Sequence, residues 1–174
     1  MSRAARNARR LSRCFWLAAA LALGAAAEER TLKLADGAEI RYQVMAPGAA
    51  GSASPTADRL LSLLAEGKID EAAALSNAPE RRAQVLRHYK DAVGEAEFRR
   101  IFARYSTPPN RLAAEVVIGE RHLLIWDLAE ANHRLAGQYF VRSGDGFRID
   151  DALSEERTRL QRVLAAYRDG RLRP

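Results

Sequence analysis

The chain has 174 residues, with 28 Lys and Arg against 22 Asp and Glu, for a formal net charge of +6. Five of the arginines (Arg3, Arg6, Arg9, Arg10 and Arg13) lie in the first 13 residues with no acidic residue among them, so residues 28–174 carry 23 basic against 22 acidic side chains, or +1. That near-neutral balance excludes a strongly basic nucleic-acid surface, and the single cysteine, Cys14, leaves the rest of the chain without a disulfide, a thiol nucleophile or a thiolate metal site.

The N-terminus has the three parts of an export signal in the right order. The arginine-rich start is followed by the apolar run Cys14–Leu23, then by Ala25-Ala26-Ala27 before the charged Glu28-Glu29-Arg30. Residues 1–27 are therefore expected to be a cleavable Sec-type signal peptide that sends the protein to the periplasm. An uncleaved leader is the alternative, and the only membrane contact expected. A lipid anchor is not expected, because Cys14 precedes the apolar run rather than following it.

From Glu28 the chain has 147 residues. That suits one domain, which at this size buries about 70% of its unfolded surface. Residues 28–45 read as a β-hairpin: Leu32 and Leu34 alternate with polar neighbours, Asp36-Gly37 is a turn pair, and Ile40, Tyr42 and Val44 alternate again. Residues 46–56 (Ala-Pro-Gly-Ala-Ala-Gly-Ser-Ala-Ser-Pro-Thr) have the composition of a flexible linker. The hairpin is accordingly expected to be an edge appendage, and residues 57–168 to keep their fold after cleavage in the linker.

Four helical segments follow. Thr56 opens a helix that buries Leu60, Leu61, Leu63 and Leu64 and stops at Gly67; Ile69–Leu75 form a short second helix. The third, opened by Asn77 and Pro79, places Val85, Leu86, Tyr89 and Val93 on one face and ends at Gly94. The fourth, Glu95–Tyr105, carries Phe98, Ile101, Phe102 and Tyr105 at i, i+3, i+4, i+7.

Beyond Thr107-Pro108-Pro109-Asn110 the period becomes two. Leu112, Ala114, Val116 and Ile118 share one face of a strand, and Gly119-Glu120 makes a turn. His122, Leu124, Trp126 and Leu128 then face one way; Leu135, Gly137, Tyr139 and Val141 are expected to join that face from the next strand. Ser143-Gly144-Asp145-Gly146 turns the chain into Phe147–Asp150, and Ser154–Arg168 closes it as a helix with Leu160, Val163, Leu164 and Tyr167 inward. Residues 169–174 are a basic tail. Helices followed by a meander predict the α+β class: N-terminal helices on one face of a curved antiparallel β-meander, an extra N-terminal hairpin and a C-terminal helix.

The phrase Leu64-Ala-Glu-Gly-Lys-Ile-Asp-Glu-Ala72, with hairpin strands ending in Tyr139-Phe-Val-Arg-Ser-Gly-Asp-Gly-Phe-Arg-Ile-Asp150, resembles the nuclear transport factor 2-like superfamily over about residues 57–152. The resemblance implies a sheet folded around helices into a cone whose interior holds a ligand or an active site. The hairpin before residue 46 and the helix after Ser154 are not part of that pattern.

No catalytic motif stands out. His88, His122 and His133 lack metal-ligand spacing, and Ser62, Ser76 and Ser106 lack a nucleophile elbow. Asp127 falls on the opposite strand face from His122, against a dyad between them. The pocket candidates are Phe102, Tyr105, His122, Trp126 and Tyr139, expected to meet between the fourth helix and the sheet as a half-open cone for a small apolar or aromatic ligand. The leading expectation is a non-catalytic exported binding or accessory protein, without cofactor or metal. A small cofactor-free hydrolase or isomerase using His122 as base is one alternative. A protein-binding, immunity-type partner of an exported enzyme is another.

Overall fold

The computed structural model describes residues 27–173. All of the expected leader except Ala27 lies outside the described residues. The class is α+β: helices pack on an open six-stranded antiparallel sheet in which the strands follow one another in chain order.

Strands β1 (Glu28–Lys33) and β2 (Glu39–Met45) form the hairpin, turned at Gly37 with φ +82°, where the Asp36 carboxylate accepts the Ala38 N–H at 3.0 Å. The hairpin is not an appendage. β2 continues the main sheet by pairing with β3 (Arg111–Ile118), Gln43 opposite Val117 and Met45 opposite Glu115, and Leu32, Ile40 and Tyr42 are buried in the core. Nor is the linker loose at its end. Ser52, Ala53 and Ser54 are buried, and α1 already begins at Ser54. Composition alone missed both features, because small residues pack as readily against a core as they fill a linker.

Helix α1 (Ser54–Ala65), α2 (Ile69–Ala73), α3 (Pro79–Val93) and α4 (Glu95–Ala103) cover one sheet face. α1 contributes Ala57, Leu60, Leu61 and Leu64 to the core there, α3 contributes Leu86 and α4 Phe98. In α3 the expected face is only partly inward: Leu86 is buried and Val93 half-buried, whereas Val85 is 55% exposed. Gly94, at φ +84°, is both the end of α3 and the start of α4, a backbone conformation that favours glycine and allows the sharp change of direction.

Strands β4 (Arg121–Leu128), β5 (Arg134–Ser143) and β6 (Gly146–Ile149) complete the sheet. Helix α5 (Glu155–Arg168), the expected C-terminal helix, lies on the face opposite α1–α4. Leu160, Val163, Leu164 and Tyr167 of α5 meet Val116, Leu123 and Ile125 there. The physical reason is legible in β3 and β4: Val116-Val117-Ile118 and Leu123-Leu124-Ile125-Trp126 are continuous apolar runs, and such strands need cover on both faces.

Between α2 and α3 the chain lays Ser76 alongside Ile149 as a parallel bridge. The Asn77 N–H donates to the Ile149 carbonyl at 3.0 Å, and the Ile149 N–H to Leu75 at 2.8 Å. This ties the helical layer to the last strand. Because β6 stops at Ile149 while β5 starts at Arg134, the first half of β5 is left as a sheet edge without a strand partner on that side.

Candidate functional site

The short end of β6 creates the site. The Tyr139 carbonyl still accepts the Asp150 N–H at 2.9 Å. By the alternation of an antiparallel strand, the peptide groups of Gly137 point to the same open edge. Beside that edge, under α1, α3 and α4, lies a cavity of about 320 Å³. Its apolar wall is Leu60, Leu64, Leu86, Phe102, Phe140 and Ile149; Tyr105, Gln138 and Tyr139 supply neutral polar groups and Arg82, Asp150 and Arg157 charged ones. A wider depression of about 620 Å³ beside His133 and Arg168 is more open to solvent. The volume of the smaller, half-open cavity is at the small end of the ligand-pocket range.

Each wall follows from local sequence. The α4 stripe buries Phe98 fully and leaves Phe102 half-buried at the rim, the two rings edge to face at 4.9 Å. A 3₁₀ turn at Arg104–Ser106 then brings Tyr105 edge-on to Trp126, with ring centroids 5.4 Å apart. Burial pushes the Tyr105 hydroxyl above its ordinary pKa, the Arg134 charge opposing.

Trp126 is buried, and its indole N–H donates to Gln138 Oε1 at 3.0 Å. An indole only donates, so the Gln138 oxygen must face it, and the –NH₂ of Gln138 is left as a donor.

Tyr139 reaches the cavity from the opposite side of the sheet. It stands directly across from Leu123, whereas Phe140 stands across from His122 and Ala136 across from Trp126. Tyr139 therefore shares the α5 face, not the His122–Trp126 face, contrary to expectation. Leu135–Val141 offers an apolar or aromatic side chain at nearly every position, so period-two reading cannot choose its face, and one residue of slip reverses it. The Arg157 guanidinium lies 4.7 Å from the Tyr139 ring centroid. Burial raises the Tyr139 pKa, with the Arg157 charge next in weight and opposing.

His122 is not in the cavity. It is buried, its ring edge-on to Phe147 at 4.5 Å, and its Nδ1 lies 2.6 Å from Glu115 Oε1. The same oxygen accepts the Ala53 N–H at 2.8 Å, and Oε2 accepts the Ser52 hydroxyl. Burial works to raise the Glu115 pKa, but these hydrogen bonds and the His122 interaction outweigh it and hold the carboxyl below its ordinary value of 4.5. Ser52 bonds to the carboxylate rather than to the imidazole, so the cluster is not a nucleophile–base–carboxylate relay.

Sequence reading passed over Glu115. The signal was present: one carboxylate inside the apolar run Leu112–Ile118, placed by the Gly119-Glu120 turn on the same face as His122. It also passed over Arg157, one of several charged residues in the first turns of α5. Asp127 instead holds the exposed His133, with Nδ1 and Oδ1 3.1 Å apart.

Among the described residues no group of three or more His, Cys, Asp or Glu is placed to hold a metal ion, and no helix is long and apolar enough to cross a membrane. Comparison with protein-family models, with curated proteins and with solved structures gives no significant match to this chain.

Proposed function

We propose that this chain is an exported, non-catalytic binding protein that takes a small apolar or aromatic molecule into the cavity between its helical layer and the open edge of β5. The observation that carries the reading is the cavity's composition: an apolar wall of Leu60, Leu64, Leu86 and Phe102 around a few polar groups, the usual make-up of a small-ligand site. The basic–apolar–small order of residues 1–27 supports export to the periplasm. The helices-then-meander order supports kinship with the nuclear transport factor 2-like superfamily; α5 on the far face is a departure from that pattern. The hydrolase or isomerase reading is disfavoured because His122 is turned to Glu115 and lies away from the cavity.

The test is a titration of the ¹⁵N-labelled protein with the neutral probe 3-phenylpropionamide. The Trp126 indole and Gln138 amide resonances should shift together and saturate. Absence of any shift at millimolar probe would overturn the binding reading. Export is checked separately by intact mass, since protein recovered from the periplasm should begin at or within a residue or two of Glu28.

A further inference from the structure

We infer that the molecule this cavity takes is a small apolar or aromatic acid whose carboxylate is met by Arg157; this rests on the binding reading above. The charges around the cavity decide it. Arg82 is engaged by Asp151, with Nε 2.8 Å from Oδ2. Asp150 accepts Arg121 Nε at 3.0 Å and the Asn77 amide at 3.1 Å, and Arg121 also reaches Glu156 at 3.4 Å. Arg82 with Asp151 and Arg121 with Asp150 balance in pairs, and the more exposed Glu156 adds one acidic charge outside the wall.

Arg157 has no such partner. It forms no ion pair among the described residues, and its buried Nε and Nη1 find no hydrogen-bond acceptor there. Its backbone is seated in the helix and its guanidinium has one contact. Its backbone N–H caps onto the Ser154 hydroxyl at 3.1 Å in the first turn of α5, and the Tyr139 ring lies against the guanidinium. An unpaired cation at the edge of a half-open cavity with an apolar wall is a site for a single negative charge.

The neutral groups point the same way. The Gln138 –NH₂ is a donor left over from the Trp126 bond, and the Gly137 N–H faces the same edge. One cation with neutral donors suits a monoanion; with Nε and Nη1 sealed from solvent, the nitrogen left to meet a carboxylate is Nη2. The apolar wall then takes the hydrocarbon part.

The experiment compares 3-phenylpropionate with its amide at pH 7 on the ¹⁵N-labelled full chain, following Trp126 and Gln138. The acid should bind about tenfold or more tightly than the amide, the difference a charge-assisted hydrogen bond makes. Arg157→Gln should bring the two within about twofold of each other, the acid losing far more affinity than the amide. Arg157→Lys, which keeps the charge on a shorter side chain, should fall between, and it decides the matter where the glutamine variant loses its fold. Equal binding of acid and amide by the parent would overturn the carboxylate inference and leave the cavity reading standing. Binding of neither would overturn both. A tenfold preference that survives both substitutions would remove Arg157 from the site.

Discussion

Glu115 and Arg157 are both charged side chains carried into the protein, and the fold treats them oppositely. Glu115 meets three donors, from Ser52, Ala53 and His122, and its cluster is closed. Arg157 is seated by Ser154 and touches Tyr139, yet two of its buried nitrogens have no acceptor among the described residues. Glu115 is a buried charge that is fully satisfied and belongs to the architecture, whereas Arg157 is half-buried with two sealed nitrogens unsatisfied. The difference also separates two parts of the molecule. The hairpin, the linker end and β3 are locked together by a polar knot, while the β5 edge and α5 frame an open space.

The largest test of the locked half is removal of residues 28–56. That cut strips Leu32, Ile40 and Tyr42 from one face of the core and the Ser52 and Ala53 donors from Glu115. The remainder should lose its cooperative urea transition. A fragment from Ala57 that melts as sharply as the parent would restore the hairpin to the status of an appendage.

Glu115→Ala should come next. It leaves His122, the Ala53 N–H and the Ser52 hydroxyl without their acceptor, and breaking a buried pair of this kind costs about 3–5 kcal/mol in urea unfolding. The pH dependence has a definite sign. Because the folded carboxyl titrates below its ordinary value of 4.5, its stabilisation is present above that pH and is lost as pH falls through the lower folded value. The stability gap between parent and Glu115→Gln should therefore narrow below pH 4.5. A gap that widens with acid would mean that Glu115 is protonated in the folded protein.

Much of this fold was legible in the sequence for specific reasons. The turns at Asp36-Gly37, Gly119-Glu120 and Gly144-Asp145 fall where Gly marks them, and α5 buries Leu160, Val163, Leu164 and Tyr167 as its spacing requires. The candidate site was half legible. Phe102 and Tyr105 line the cavity because a helical stripe fixes its own face, and Trp126 backs it through Gln138. Tyr139 was placed on the wrong face because β5 is apolar on both. Arg157 was invisible, since nothing local distinguishes a paired surface arginine from an orphaned one; the partner that is missing lies far away in sequence. His122 is buried away from the cavity it was expected to line, and its partner is decided by a diagonal across a hairpin rather than by a motif.

Gly137→Ala probes the boundary between the two halves at a smaller scale. A Cβ at this position would come within 2.5 Å of Leu164 Cδ2 and 3.0 Å of Leu123 Cδ1. Glycine is what lets α5 pack this close to β5. Overpacking of this kind costs about 1–3 kcal/mol, and the displaced α5 should carry Arg157 away from the cavity. The variant should thus lose stability and affinity for 3-phenylpropionate together. Lost stability with unchanged affinity would show that Arg157 does not depend on the seat of α5.

Tyr139→Phe should have the smallest effect on stability and is the sharpest test of the open half. The hydroxyl takes part in no hydrogen bond among the described residues, and the side chain is half-buried at the cavity rather than sealed in the core. The ring, and with it the contact to Arg157 at 4.7 Å, survives the substitution. Stability should therefore change by no more than about 0.5 kcal/mol, as for a substitution that removes no buried bond. A hydroxyl with a buried partner would instead cost about 1–3 kcal/mol on removal, since that partner would be left unsatisfied. Affinity for 3-phenylpropionate should fall only slightly, because phenylalanine still presents an aromatic face to the cation. A large loss of stability would mean that the space beside Tyr139 is closed core, and Arg157 would then be one more structural charge like Glu115, with a partner still to be found.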